Sequence, residues 1–142
     1  MSTQAIDVVM CTYNSVATIE GTLEALLDTA RESDLRLIVS DNGSTDQTLD
    51  IVRDVVANRA GDLDVAILEH GANLGYATAV NRALERRRPA STVLVLNPDV
   101  VIPPPPDMFE LIDELSGDTA VVSPLLVKGD GSLDHACARP EP

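Results

Sequence analysis

The feature that narrows the fold most is a repeated alternation of short apolar runs with amphipathic stripes. Extended character recurs at Ile6 to Thr12, Leu35 to Ser40, Asp64 to Glu69, Thr92 to Leu96 and Thr119 to Ser123, mostly in runs rich in Val, Ile and Leu. Such runs suit strands covered on both faces. Between them, Val16, Ile19, Leu23, Leu26, Leu27 and Ala30 share one helical stripe, and Leu49, Val52, Val55 and Val56 share another. Parallel neighbours need a helix-sized return connection. The order β-α-β-α-β-α-β-α-β therefore predicts an α/β fold: a doubly wound, mostly parallel sheet with flanking helices. In such a sheet ligands gather outside the carboxyl ends of the strands.

Local punctuation supports this parse. Ser15 is a candidate N-cap, and Ser44 with Gln47 has the spacing of a capping box. Pro89 is expected to close the third helix, with Arg86, Arg87 and Arg88 at its C-terminal dipole. The prolines at 103–106 lead stiffly into a short helix expected from Asp107 to Leu115. Leu125-Leu126-Val127 followed by Lys128-Gly129-Asp130-Gly131 reads as a strand turning back in a hairpin, with Cys137 to Pro142 as a frayed or shortened end. A length of 142 residues, 44% of them hydrophobic, fits one domain over 1–142.

Charge and composition exclude several classes of function. The net charge of −13, from 23 acids against 10 bases, repels phosphate backbones and anionic membrane surfaces, so nucleic acid is not an expected partner. No apolar run approaches the roughly 18 residues of a membrane span, and Met1 to Ala5 leads into a strand and not into a signal-peptide core. Cys11 lies in an apolar strand and Cys137 in a polar tail, so no disulfide framework is expected and the natural compartment is reducing and cytoplasmic. His70 and His135 are too few for a histidine-rich metal site.

Polar residues collect at the expected strand ends, in four clusters. Cys11-Thr12-Tyr13-Asn14-Ser15 is either a turn with an N-cap or a set of free N–H groups facing a nucleotide. In Ser40-Asp41-Asn42-Gly43-Ser44-Thr45-Asp46, Gly43 supplies a turn and Ser44 a cap. Asp41 is then surplus to folding and suited to accept from a base or ribose. Asn97-Pro98-Asp99 ends a very apolar strand either as a solvated turn or as two hard-oxygen donors on one side of an extended chain, which suits a divalent cation. His70 to Asn81 is a Gly-punctuated loop running into a helix: Gly75 permits close backbone approach, and Tyr76 either stacks on a ligand or covers the core. The arginines that follow read mostly as a solvated face. A carboxylate about 4 Å from a phosphate charge is repelled by roughly 4 kcal/mol at an effective dielectric of 20, so an acidic chain that holds a diphosphate calls for Mg²⁺ or Mn²⁺.

Taken in order and spacing, Cys-Thr-Tyr-Asn, Ser-Asp-Asn-Gly-Ser-Thr-Asp, Asn-Leu-Gly-Tyr and Leu-Asn-Pro-Asp resemble the family-2 glycosyltransferases, inverting nucleotide-sugar enzymes of GT-A, Rossmann-like fold. The resemblance runs from Ile6 to about Val127. Asn97-Pro98-Asp99, in place of two aspartates, is most similar to the rhamnosyltransferase branch, which implies dTDP-rhamnose or another donor such as a UDP-sugar, and a role in cell-wall or polysaccharide biosynthesis. By the same resemblance Thr12, Tyr13, Asn14, Asp41, Ser44, Asn73 and Gly75 would form the nucleotide site, and Asp99 with Asn97 would hold the metal.

Inversion needs a general base for the acceptor hydroxyl. In the family it comes from a later segment, and neither Asp134 nor Glu141 sits in a similar sequence, so none is assigned. The expectation is a donor-binding portion truncated on its acceptor side. The alternative is a non-catalytic nucleotide-binding module. A phosphoacceptor receiver domain would need an acidic pair where this chain has Thr12, Tyr13 and Asn14. An apolar edge left by a missing acceptor half would also allow self-association.

Overall fold

Ile6–Thr12 forms strand β1, in which every residue is buried. Its burial follows from its place in the sheet. β1 pairs in parallel with β2 (Leu35–Asp41) on one side and with β4 (Thr92–Leu96) on the other, and β2 pairs in parallel with β3 (Asp64–Glu69). The resulting order, β3-β2-β1-β4, makes β1 the strand at which the winding reverses. The structure is a computed structural model that describes residues 5–30, 34–102, 111–115, 117–124 and 126–134.

The connections are helices α1 (Ile19–Ala30), α2 (Thr48–Arg59) and α3 (Tyr76–Leu84). α1 packs against α2, while α3 packs on β1 and β2. Right-handed crossovers running in opposite directions from β1 put α3 on the other face of the sheet from α1 and α2. The two-residue period of the strands sorts their side chains to match. Val9, Cys11 and Ile38 form one core with Ala79, Val80 and Ala83 of α3. Val8, Met10, Leu37 and Val39, all fully buried, therefore point to the opposite face. Ile19, Leu23, Leu26 and Val52 are fully buried helical positions from the expected stripes. At roughly 1.5–3 kcal/mol for each large apolar side chain removed from water, these two cores dominate the stability of the sheet.

Several local expectations are corrected. Val16 is exposed and α1 begins at Ile19, because Ser15 uses its carbonyl to receive the amides of Thr18 and Ile19 while its hydroxyl turns back to Tyr13 O. Ser44 makes no capping box: α2 starts four residues later, behind Gln47, with no side-chain cap. α3 ends at Leu84, so Arg86, Arg87 and Arg88 lie beyond its last turn. Residues 119–123, expected as a fifth strand, are irregular. Val121 is 85% exposed, and without a neighbouring ladder to satisfy its backbone an apolar run does not become a strand.

The chain divides into two compact units, residues 1–104 and 105–142. In the second, residues 111–113 are helical. A turn brings Val127 opposite Leu133 in an antiparallel bridge, closed by Lys128 N to Ser132 O at 2.8 Å. Most of the helix expected from Asp107 lies outside the described residues, as does Cys137.

Arg88 departs from the solvated-face reading. Asp7 is fully buried in β1, and its carboxylate accepts from Arg88 N at 2.5 Å and from Arg88 Nε at 2.7 Å. The same guanidinium reaches Asp34 Oδ1 and the carbonyls of Ile6 and Asp34. Removing one member of a buried pair leaves an uncompensated charge. Arg88→Ala is expected to lower unfolding stability by about 3 kcal/mol in urea titration, whereas Arg82→Ala on the exposed side of α3 changes it by less than about 0.5 kcal/mol.

Candidate functional site

Loops from the carboxyl ends of all four strands meet at one rim, and hydrogen bonds stitch them together. Asn42 N donates to Thr12 O at 2.8 Å, and His70 N donates to Asp41 O at 3.1 Å, so the ladder continues one step past the strands. Asn42 then uses both ends of its buried side chain: Nδ2 donates to Asn73 Oδ1 at 3.0 Å and Oδ1 accepts from Leu74 N at 2.7 Å. Asn14 reaches the other way, its amide N donating to Ser44 Oγ and its Oδ1 accepting from Thr45 N.

Two glycines make this packing feasible. Gly43 has φ +80°, and a Cβ there would lie 2.5 Å from the backbone carbonyl carbon of Ala72. Gly75, at φ 85° and ψ 149°, occupies a region that is essentially closed to other residues and directs the chain into α3.

Between the loops lies an open cleft of about 590 Å³ at the ends of β1 and β4, the place where the winding reverses. Of the residues expected at the site, Tyr13, Asn14, Asn73, Asn97 and Asp99 line it. Thr12, Asp41, Ser44 and Gly75 do not. Thr12 is fully buried, with its hydroxyl unpartnered.

Asp41 is 1% exposed and lies beneath the rim. Its carboxylate accepts from Gly43 N at 3.1 Å, Ser44 N at 3.0 Å and Ser44 Oγ at 2.5 Å. The expectation that Asp41 is surplus to folding is thus corrected: it builds the turn, and Ser44 links it to Asn14.

The sequence reading missed Cys11, Ser15, Ala17, Thr18, Asn42 and Pro98 as lining residues, and Tyr76, read as either stacking on a ligand or covering the core, lines the cleft. A signal existed for two of them. Asn42 follows the last strand residue, where the chain emerges at the rim, and Cys11 shares the Val9 side of β1.

The Asn97 to Asp99 segment is anchored from below by Thr22 of α1, whose hydroxyl lies 3.0 Å from Pro98 O and 3.1 Å from Val100 O. Across the cleft, the Tyr76 hydroxyl donates to Asn97 Oδ1 at 3.1 Å. Burial, and then the neighbouring Cys11, push the Tyr76 phenol above its usual range, so it remains a donor at neutral pH. Burial, and then the Asp41 charge, likewise raise the Cys11 thiol, which argues against a thiolate nucleophile.

Asp99 is the one carboxylate among the described lining residues, and no basic side chain accompanies it. No three His, Cys, Asp or Glu side chains converge into a metal cage among the described residues. A single exposed carboxylate does fit Mg²⁺ or Mn²⁺ held jointly with phosphate oxygens and water, the way such ions usually bind beside nucleotides.

The roles of Asp41 and Gly43 are open to test by stability. Asp41→Ala strips three donors of their acceptor and is expected to cost about 3 kcal/mol, and Gly43→Ala about 2–3 kcal/mol through strain and contact with Ala72. Asp99→Ala, at an exposed position, should shift stability by less than about 0.5 kcal/mol in the same thermal melts.

Comparison with known proteins agrees with this geometry. The chain is 33% identical over 143 aligned residues to the N-acetylglucosaminyl-diphospho-decaprenol L-rhamnosyltransferase of two Mycobacterium tuberculosis strains, CDC 1551 / Oshkosh and H37Rv. The match takes in 92% of this chain and 44% of that enzyme, so the chain spans less than half the length of these curated relatives. Among solved structures it is similar to the mannosyltransferase PcManGT from Pyrobaculum calidifontis in complex with GDP-Man and Mn²⁺. The TM-score is 0.73 and the identity 27%, over 84% of this chain and 34% of the other. It is also similar to S. aureus TarS 1-349 in complex with UDP-GlcNAc, with a TM-score of 0.62 and 28% identity over 78% of this chain and 31% of that one. The four-stranded parallel sheet with flanking helices is the GT-A, Rossmann-like arrangement of these neighbours. Residues 7–138 match the profile of Glycosyl transferase family 2, and the chain belongs to that family.

Proposed function

We propose that this chain is the donor-binding part of an inverting glycosyltransferase that transfers a sugar from a nucleoside diphosphate to a hydroxyl acceptor. The observation that carries the proposal is the cleft at the winding reversal, lined by Tyr13, Tyr76 and a set of amides and hydroxyls, with Asp99 as its lone carboxylate. Aromatic faces suit a base, amides suit ribose and phosphate oxygens, and an isolated carboxylate suits a cation shared with a diphosphate. Likeness to a rhamnosyltransferase supports dTDP-rhamnose as donor, and a cell-wall or polysaccharide pathway as the setting.

In this reading Tyr13, Asn14, Asn42 and Asn73 embrace the nucleoside, and Asp41 acts from below by holding the turn that carries Asn42. Asp99 would hold Mg²⁺ or Mn²⁺, which would supply neutralisation of the leaving diphosphate. Inversion requires the acceptor hydroxyl to lose a proton opposite the leaving group. Among the described lining residues Asp99 is given to the cation and burial raises the Cys11 thiol and the Tyr76 phenol, so none is assigned as the base.

No described helix is long and apolar enough to cross a membrane, and unpaired Cys11 is consistent with a reducing, cytoplasmic setting. The outer edge of β4 and the 46% exposed Val95 are an apolar margin through which isolated chains would self-associate.

Calorimetric titration with dTDP and UDP, with Mn²⁺ or with EDTA, tests the proposal. Wild type is expected to bind, dTDP the tighter, with Mn²⁺ improving affinity about tenfold or more by reversing the sign of the carboxylate–phosphate interaction. Asp99→Ala should abolish that improvement while leaving the melting temperature unchanged. Absence of nucleotide binding by wild type would remove the proposal. Release of sugar from dTDP-rhamnose would separate an enzyme from a module that only binds.

A further inference from the structure

Resting on the reading of the cleft as a diphosphate site, we infer that Tyr76 holds Asn97 as a hydrogen-bond donor to the ligand's diphosphate, and that Asn97 is not a metal ligand. Asn97 and Asp99 are two residues apart at the end of one strand and both line the cleft. A symmetrical pair of hard-oxygen donors would be the simplest use of that spacing. The hydrogen bonds assign them different tasks.

The carboxamide of Asn97 has its oxygen turned toward Tyr76, whose hydroxyl donates to Oδ1 at 3.1 Å. An amide whose oxygen is engaged keeps Nδ2, with two hydrogens, as its donor to a ligand. Tyr76 also opens α3 directly behind Gly75, so the donor is delivered from a rigid element.

The ligand's side of the account agrees. Among the described lining residues there is no Lys, Arg or His, so the direct contacts they offer a diphosphate are neutral N–H and O–H groups. Nδ2 of Asn97 is such a group beside the position at which Asp99 would share a cation with the same phosphates. A second carboxylate at 97 would repel the diphosphate and make binding depend wholly on metal, whereas a Tyr-fixed amide attracts it with or without metal. Tyr76 is thus a positioning residue that acts through Asn97.

The test separates direct contact from metal coordination. dTDP is titrated calorimetrically into the chain in EDTA and in Mn²⁺, for wild type, Asn97→Ala, Tyr76→Phe, their double variant and Asp99→Ala. Asn97→Ala is expected to weaken binding about tenfold in both conditions, so that the Mn²⁺-to-EDTA ratio keeps its wild-type value. Tyr76→Phe should do the same by a smaller factor, about threefold, and the double variant should be no weaker than Asn97→Ala alone, since the phenol acts on the ligand through Asn97. Asp99→Ala should instead collapse the ratio toward one. Collapse of the ratio in Asn97→Ala would show Asn97 on the metal, and additive losses in the double variant would show Tyr76 acting independently. Either result overturns the inference while leaving the nucleotide site intact. Failure of wild type to bind dTDP and UDP would instead sink the underlying reading.

Discussion

The rim that carries the site depends on β1 having β2 on one flank and β4 on the other. That arrangement buries every residue of β1, sends α3 to the opposite face from α1 and α2, and leaves a gap between loops that wind away in opposite directions. The two ends of β1 do different work. At its amino end, Asp7 and Arg88 pin the strand to the chain that leads into β4. At its carboxyl end, Thr12, Tyr13 and Asn14 hand the chain over to the rim. Thr12 is still fully buried there, while Tyr13 and Asn14 emerge to line the cleft.

Asp41 stands at the boundary between these tasks. A carboxylate at the end of a buried strand would be costly if it were alone. Three donors from the next turn meet it, and one of them, Ser44, passes the contact on to Asn14 in the β1 loop. A ligand that touches Asn14 or Asn42 therefore feels the turn that Asp41 holds, although Asp41 lines no part of the cleft. This is how an acidic residue can matter to binding without adding exposed charge to a site for an anion.

Much of this was legible in the sequence, and the failures share a cause. Four of the five strand expectations match the structure to within a residue, because Val-, Ile- and Leu-rich runs reflect burial that local pattern encodes well. The fifth, 119–123, has the same composition, but a strand also needs a partner, and composition cannot supply one. The order of the four motifs was enough to point to the family. Direction was harder. Whether Asp41 faces a ligand or a turn, and whether Ser44 caps a helix or a carboxylate, depend on which of several local partners each side chain takes, and whether Arg88 is solvated or buried against Asp7 depends on a contact between residues far apart in the chain. Asn42 was overlooked for the converse reason: flanked by an acid and a glycine, it read as part of a turn, and only the fold brings it to the cleft wall.

The contact of Gly43 with Ala72 has a consequence for motion. With no room for even one carbon between the β2 and β3 loops, and with Asn42 bonded to Asn73 and Leu74, these two loops form a single stiff jaw. The opposing wall at Asn97 to Asp99 is held instead by two side-chain hydroxyls, Thr22 from beneath and Tyr76 from across. Through its hydroxyl Tyr76 ties the helix behind one wall to the segment that forms the other, so the two sides of the cleft are joined by a side-chain contact that neither backbone makes.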